Sequence, residues 1–258
     1  MFRIQIHVRV SDPGVKMQES DLTPMLHIIS VKVFIALDGR ERGAMDVGGK
    51  FRVLGLSCSP RAGGNTDMML DSALEGAVGE GASVEKVDVP RLDINPCHAC
   101  NACFKDGKCI QQDDMQALYP KLLDYEGIIL AAPIFSMNLA AQAKILIDRL
   151  QCCWSKKFVL KEHTVPDEEK RKSRRGLWLS AAGFNKPDVF EPALVTVRYF
   201  FGMLEIRQRE RVTYYNVDEL GAIKGVPGAL EECAAAGVRL VNPPEPEAEE
   251  QEWLSSLS

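Results

Sequence analysis

The 258-residue chain lacks the common sequence motifs of enzymes whose side chains carry out catalysis. It contains only four histidines, and it shows no Ser–His–Asp arrangement, paired catalytic carboxylates or zinc-protease helix. A net charge of −5 argues against nucleic acid as a partner. No apolar run is long enough to span a bilayer, so we expect no membrane association. We therefore assign no catalytic side chain and expect a bound cofactor to supply the chemistry.

The start of the chain also lacks the basic segment and apolar stretch of a signal peptide. We therefore expect a cytoplasmic, reducing location, in which the eight cysteines are free or metal-bound rather than paired. No internal repeat is visible, and the 46% hydrophobic content is enough for one sizeable core.

Two terminal segments differ in composition from the rest of the chain. Residues 1–49 form an N-terminal extension whose first ten residues alternate apolar and polar side chains, which predicts either a β-hairpin or a disordered segment. The tail 242–258 is acidic and proline-rich, and we expect it to be disordered. A charged internal loop, 161–175, is expected to be solvated.

Between residues 50 and 241, predicted strands alternate with predicted helices. This alternation favours an α/β fold with a doubly wound parallel sheet of five strands and helices on both faces. We predict strands at 51–57, 83–89, 127–133, 176–183 and 204–213. We predict helices at 66–80, from Asp113–Asp114 onward, and at 139–154, 188–203 and 228–237.

A polar loop with the sequence SCSPRAGGNT joins the first predicted strand to the first predicted helix. Backbone N–H groups at a helix N-terminus favour an anion, and glycines let the backbone approach it closely. Ser59 and Thr66 offer hydroxyl groups, Arg61 offers positive charge, and Asn65 can cap the helix or contact a phosphate. The loop matches neither the Walker nor the dinucleotide motif, which favours a mononucleotide phosphate. An ordinary polar turn is the alternative.

Four cysteines follow the second predicted strand with the spacing C-x2-C-x2-C-x5-C, in the loop 96–110. They are Cys97, Cys100, Cys103 and Cys109. Thiolates are soft ligands, and four on one short loop can converge on an iron–sulfur cluster. A structural zinc ion is a second interpretation, although zinc usually takes two separated C-x2-C pairs. Free reactive or structural thiols are a third.

The other cysteines are interpreted as packing residues. For Cys58, whose thiol pKa a helix N-terminus could lower, filling a turn is the favoured role.

These motifs carry a resemblance to known proteins. The loop S-x-S-P-R-x-x-G-N-T resembles that of the flavodoxin-like NAD(P)H-dependent FMN reductases. Combined with the cysteine spacing and the DDM that follows it, the loop resembles the iron–sulfur flavoprotein family. The stretches APIFSMNLAAQAKILIDR and GAIKGVPGALEECAAAGVRLV are similar to later segments of that family, so the resemblance covers about residues 51–241. Cys58 departs from the pattern, where the family often has glycine.

The resemblance implies a flavodoxin-like fold, a non-covalent FMN and a [4Fe–4S] cluster. Its implied phosphate ligands are Ser59, Arg61, Gly64, Asn65 and Thr66. The isoalloxazine ring is expected against Pro133, Ile134, Phe135, Ser136, Met137 and Asn138, and against Ala181, Ala182 and Gly183. The implied cluster ligands are Cys97, Cys100, Cys103 and Cys109. The FMN segments follow predicted strands, at whose carboxyl ends open α/β sheets bind ligands.

The resemblance also implies an activity. It is that of an electron-transfer oxidoreductase that takes electrons from a carrier, ferredoxin or NAD(P)H, and passes them to dioxygen, peroxide or a quinone. Homodimers or homotetramers are expected, in which the cluster of one subunit approaches the flavin of another. An NAD(P)H-dependent FMN or quinone reductase without a cluster is the first alternative, and a redox sensor without turnover is the second.

Overall fold

A parallel β-sheet forms the centre of the described part of the chain. The computed structural model describes residues 51–244, so the predicted N-terminal extension 1–49 and most of the predicted tail 242–258 lie outside the described residues. The strands are β1 (Arg52–Ser57), β2 (Ser83–Asp88), β3 (Gly127–Ala131), β4 (Ile134–Phe135), β5 (Asn138–Leu139), β6 (Arg175–Ala181) and β7 (Arg207–Tyr214).

The main sheet has five strands in the order β2-β1-β3-β6-β7, and every neighbouring pair is parallel. This order is that of the flavodoxin-like doubly wound sheets. The predicted fold is therefore confirmed. The central strand β3 is buried along its whole length, because helices cover both faces of a parallel sheet.

Helices cover the sheet on both sides. They are α1 (Asn65–Gly79), α2 (Met115–Asp124), α3 (Ala141–Asp148), α4 (Gln151–Phe158), α5 (Glu168–Ser173), α6 (Glu191–Met203) and α7 (Ala229–Val241). α1 and α7 contribute to the core on one face, and α2, α3, α4 and α6 contribute to the core on the other. Within residues 51–244, each helix is too short or too polar to cross a bilayer.

The structure differs from the sequence prediction in three places. The single helix predicted at 139–154 is interrupted at Arg149 and Leu150, which separate α3 from α4. An antiparallel hairpin, β4–β5, occupies a segment predicted as a loop. The charged segment 161–175 is only partly solvated, because it contains α5 and buries Thr164, Val165 and Arg174.

Glycines set the contact between α1 and α7. A Cβ atom on Gly76 would lie 2.0 Å from the carbonyl oxygen of Ala234, and one on Gly237 would lie 1.9 Å from that of Ala73. Neither distance is sterically possible, so the two helices approach at positions where each has no side chain. Backbone atoms have little freedom to move inside a packed core, so any side chain here must separate the helices.

We expect Gly76→Ala to destabilise the protein by about 1–3 kcal/mol, because the added methyl group forces the helices apart. The matched control is Gly79→Ala on the same helix, where no described atom lies within 4 Å of the added Cβ. The control should be neutral or slightly stabilising, since alanine favours helix. Urea unfolding of both variants measures the difference, and equal free energies of unfolding would contradict the steric argument.

Candidate functional site

A cleft lies at the carboxyl edge of the sheet. After β1 the chain continues to β2 on one side of the sheet. After β3 the next strand of the main sheet is β6, on the other side. The loops after β1 and β3 therefore diverge at this edge. Crevices of this kind are where doubly wound sheets bind ligands. The cleft is lined by Ser59, Arg61, Gly64, Asn65, Thr66, Pro133, Ile134, Phe135, Ala181, Gly183, Val217, Asp218 and Leu220.

The loop after β1 ends at the N-terminus of α1. Its N-cap residue is Gly64, and no described side chain caps the helix there. The first N–H groups of a helix have no partner inside the helix, so this end presents donors to the cleft. A Cβ atom on Gly64 would lie 2.9 Å from the carbonyl oxygen of Arg61 and 3.1 Å from Ser59 Oγ. A side chain at position 64 would therefore collide with the loop's own atoms, so the turn before α1 favours glycine here.

Asp67 fixes the shape of this loop. Its carboxylate accepts hydrogen bonds from Ser57 Oγ at 2.7 Å and from the N–H of Gly63 at 3.0 Å. Lys86 Nζ on β2 lies 2.8 Å from the same carboxylate. Burial acts to raise the pKa of Asp67, but Lys86, Ser57 and the Gly63 N–H together hold it below its ordinary value. The ionised carboxylate thus stabilises the loop conformation.

Asn65 and Arg61 connect the cradle to the segment after β7. The side-chain amide of Asn65 donates to the carbonyl oxygen of Glu219 at 2.9 Å and accepts from the N–H of Ile223 at 3.2 Å. Arg61 Nη1 donates to the carbonyl oxygen of Asp218 at 3.2 Å. The Asn65 side chain is therefore occupied by protein contacts, and what it offers an anion is its backbone N–H.

The β4–β5 hairpin forms the second wall. Its two turn residues, Ser136 and Met137, have φ values of 49° and 66°. Two consecutive left-handed residues define a type I′ turn, which is costly without glycine or asparagine. Phe135 and Met137 are both exposed on this hairpin. Of the predicted ring contacts, Pro133, Ile134 and Phe135 line the cleft, whereas Ser136, Met137 and Asn138 lie beside it.

The third wall comes from the ends of β6 and β7. Ala181 and Gly183 line the cleft, and Ala182 is buried beside them. A Cβ atom on Gly183 would lie 2.8 Å from Asp218 Cγ, so a larger residue there would displace the Asp218 side chain. Sequence reasoning missed Val217, Asp218 and Leu220. The available signal was that these residues follow a parallel strand, whose carboxyl end must reach the same edge.

The cysteine loop forms a second candidate site. Cys97, Cys100, Cys103 and Cys109 all line one small cavity, together with Arg149, Gln151 and Cys152 from the junction of α3 and α4. Ser155 Oγ on α4 donates to the carbonyl oxygen of Cys103 at 2.8 Å. This hydrogen bond holds the backbone of the cysteine loop against α4.

Arg149 is the charged group of this cavity, and its guanidinium is fully buried. Nη2 donates to Cys109 Sγ at 3.4 Å, and Nη1 donates to the carbonyl oxygen of Asn95 at 2.8 Å. The carboxylate of Asp113 pairs with both nitrogens, with one contact at 3.1 Å. Burial acts to raise the pKa of Asp113, but Arg149 and the Asn95 N–H hold it below its ordinary value.

The remaining cysteines have distinct environments. Cys58 is fully buried, and burial raises its thiol pKa, so a helix N-terminus does not activate it. Cys233 belongs to the core beside α1 and α7, and burial raises its thiol pKa to about 12. Cys153 is also buried in a core, as predicted. Cys152 was expected only to pack, but it also lines the cysteine cavity.

A family model for NADPH-dependent FMN reductases matches residues 51–208. The chain therefore belongs to this family of flavin-dependent oxidoreductases. Among solved structures, it has the fold of a flavone reductase, with a TM-score of 0.55 and 19% identity over 74% of this chain and 62% of that one. An NAD(P)H:quinone oxidoreductase from Methanothermobacter marburgensis gives a TM-score of 0.52 and 13% identity, over 76% of this chain and 98% of that one.

Curated relatives include proteins named iron–sulfur flavoprotein. One from Archaeoglobus fulgidus is 39% identical over 38% of this chain and 45% of its own length. One from Methanosarcina thermophila is 38% identical over 43% of this chain and 58% of its own length. The chain thus spans about half the length of these curated relatives. The resemblance to iron–sulfur flavoproteins that the sequence motifs predicted is confirmed.

The ion pair at Asp67 predicts a pH-dependent contribution to stability. We expect Asp67→Asn to cost about 1–2 kcal/mol at pH 7, because the amide cannot replace the charged hydrogen bonds. Because the folded pKa lies below the ordinary 3.8, this contribution is complete above about pH 4 and is lost as the pH falls through the folded pKa. Urea unfolding between pH 3 and pH 7 measures it. The control is Asp71→Asn, the exposed second partner of Lys86, which should change stability little. A difference from wild type that is independent of pH would contradict the assignment.

Proposed function

We propose that the chain is an FMN-dependent electron-transfer oxidoreductase that also carries a [4Fe–4S] cluster. The observation that carries the proposal is that one domain combines a cleft at an uncapped helix N-terminus with four loop thiols lining a single cavity. Membership of the FMN reductase family supports the flavin, and the names of the similar archaeal proteins support the cluster.

The residues of the cleft fit FMN. The N–H groups at the start of α1, the Ser59 and Thr66 hydroxyls and the Arg61 guanidinium would hold the phosphate. Gly64 lets the loop fold tightly onto the carbonyl oxygen of Arg61 at the start of α1. The isoalloxazine ring would lie between the hairpin residues Pro133 to Asn138 and the segment Ala181 to Gly183, and the hairpin would exclude water from one side.

The cysteine loop fits a cubane cluster by the chemistry of its donors. Each thiolate of such a cluster binds a different iron atom, so the sulfurs stand further apart than the ligands of one ion. When bound, FMN exchanges one or two electrons and a cluster exchanges one, so together they would link single-electron and two-electron partners.

The partners follow from this chemistry. We propose reduced ferredoxin or NAD(P)H as the donor, and dioxygen, peroxide or a quinone as the acceptor. Homodimers or homotetramers are supported by the exposed aromatic residues Phe104 and Phe158, whose rings contact that of Trp154 at tilted angles beside the cysteine loop. Steady-state electron flow from either donor to an acceptor would exclude the alternative of a redox sensor without turnover.

A cluster-free NAD(P)H-dependent FMN or quinone reductase is the second candidate. It is favoured by the family match over residues 51–208, because that family is described as NADPH-dependent FMN reductases. Iron and sulfide analysis separates the two candidates, because only the cluster-containing protein would hold both.

We expect anaerobically purified protein to contain about four irons, about four sulfides and one FMN per chain. Cys100→Ser should lose most of the iron and keep FMN, because the exposed side chain contributes little to folding. The control is Cys233→Ala, whose cysteine lies in the core beside α1 and α7 and should leave the iron content unchanged. FMN without iron in the wild-type protein would establish the cluster-free reductase.

The phosphate cradle predicts a separate loss of flavin affinity. We expect Ser59→Ala to weaken FMN binding by about 10- to 100-fold, because a hydrogen bond to a charged phosphate is worth about 1.5–3 kcal/mol. Quenching of FMN fluorescence on binding measures the dissociation constant. Ser72→Ala, on α1 but outside the cleft lining, is the control and should bind FMN as the wild type does. Unchanged affinity in Ser59→Ala would place the phosphate elsewhere.

A further inference from the structure

Arg149 combines full burial with a contact to a predicted cluster ligand. Its side chain is 0% exposed, and that of its partner Asp113 is 2% exposed. Burying a charge is costly unless it is paired and hydrogen-bonded, and the carboxylate of Asp113 supplies that pairing here.

The orientation of the guanidinium is fixed from several directions. Asp113 pairs with both of its terminal nitrogens, and the carbonyl oxygen of Asn95 accepts from Nη1 at 2.8 Å. Asp113 is itself held by the N–H groups of Asn95 at 3.0 Å and Met115 at 3.2 Å. The remaining donor direction of Nη2 is occupied by Cys109 Sγ at 3.4 Å. Arginine is suited to this role, because its donors form a rigid planar fork.

The break between α3 and α4 places this group at the cavity. Arg149 follows the last residue of α3, and its carbonyl oxygen accepts a hydrogen bond from Tyr119 Oη at 2.8 Å. The side chain can then project toward the cysteine loop, and it contacts both Asn95, which directly precedes the loop, and Cys109, the last cysteine of the loop. One side chain thus joins both ends of the loop.

We propose that Arg149 is a positioning residue for Cys109 and raises the reduction potential of the cluster that the four loop cysteines bind. This inference rests on the proposed function. Hydrogen bonds to ligand sulfur and nearby positive charge both stabilise the reduced cluster, which carries one more negative charge. Asp113 acts through Arg149, because it fixes the direction of the donor.

The test compares cluster reduction potentials in the full, cluster-loaded chain, followed by electron paramagnetic resonance during a reductive titration. Arg149→Gln should lower the ratio of reduced to oxidised cluster about tenfold at a fixed potential, which for one electron is about 59 mV. Arg149→Lys keeps the charge but loses the fork, so its potential should lie between those of Arg149→Gln and the wild type.

The matched control is Arg174→Gln. Arg174 is the other fully buried arginine within residues 51–244, and its nitrogens donate to backbone carbonyl oxygens of Tyr125, Leu204 and Leu122.

A further variant guards against a single substitution that fails to fold. The double substitution Arg149→Gln with Asp113→Asn removes both buried charges and the donor to Cys109 together, and it should also lower the potential. An unchanged potential in Arg149→Gln or in the double variant, with iron and FMN content intact, would overturn the inference and leave the proposed function standing. Equal shifts in Arg149→Gln and Arg174→Gln would overturn it as well. Absence of iron from the wild-type protein would overturn both the inference and the proposed cluster.

Discussion

All strands of the main sheet run in one direction, so their carboxyl ends meet at one edge. The cleft depends on this constraint, since its walls are the segments that leave β1, β3, β6 and β7 at that edge. The cysteine loop also starts after a carboxyl end, that of β2. The parallel order requires helices on both faces, and the close approach of α1 to α7 through Gly76 and Gly237 holds the helix whose N-terminus faces the cleft.

The two candidate sites share the same arrangement of charged groups. In each, a carboxylate near the start of a helix accepts a backbone N–H from the adjacent loop and pairs with a cation from another element. Asp67 binds the Gly63 N–H and Lys86, and Asp113 binds the Asn95 N–H and Arg149. The pKa of each carboxylate is lowered, so both remain ionised under physiological conditions. Loop shape at both sites thus depends on charge as well as on packing.

Much of the fold and part of the site could be predicted from local sequence. Continuous apolar segments such as 127–131 predicted buried parallel strands, because such strands need apolar residues on both faces. The polar loop after β1 and the cysteine spacing could be recognised because the residues of each motif are close in sequence. The break at Arg149 could not be predicted, since the pattern around it is that of a continuous amphipathic helix. The left-handed turn at Ser136 and Met137 was equally hidden, because its residues are not the usual ones for that turn.

The sequence by itself determined the class of fold and the chemical character of both loops, because periodicity and short motifs are local properties. Only the tertiary structure decided that Asp218 borders the cleft, that the Asn65 side chain is occupied by the segment after β7, and that Arg149 contacts Cys109. These contacts join residues that are far apart along the chain. They arise because burial of apolar surface brings distant elements together. A charge buried in this way is costly unless it is paired, and its partner can come from any element that packs beside it.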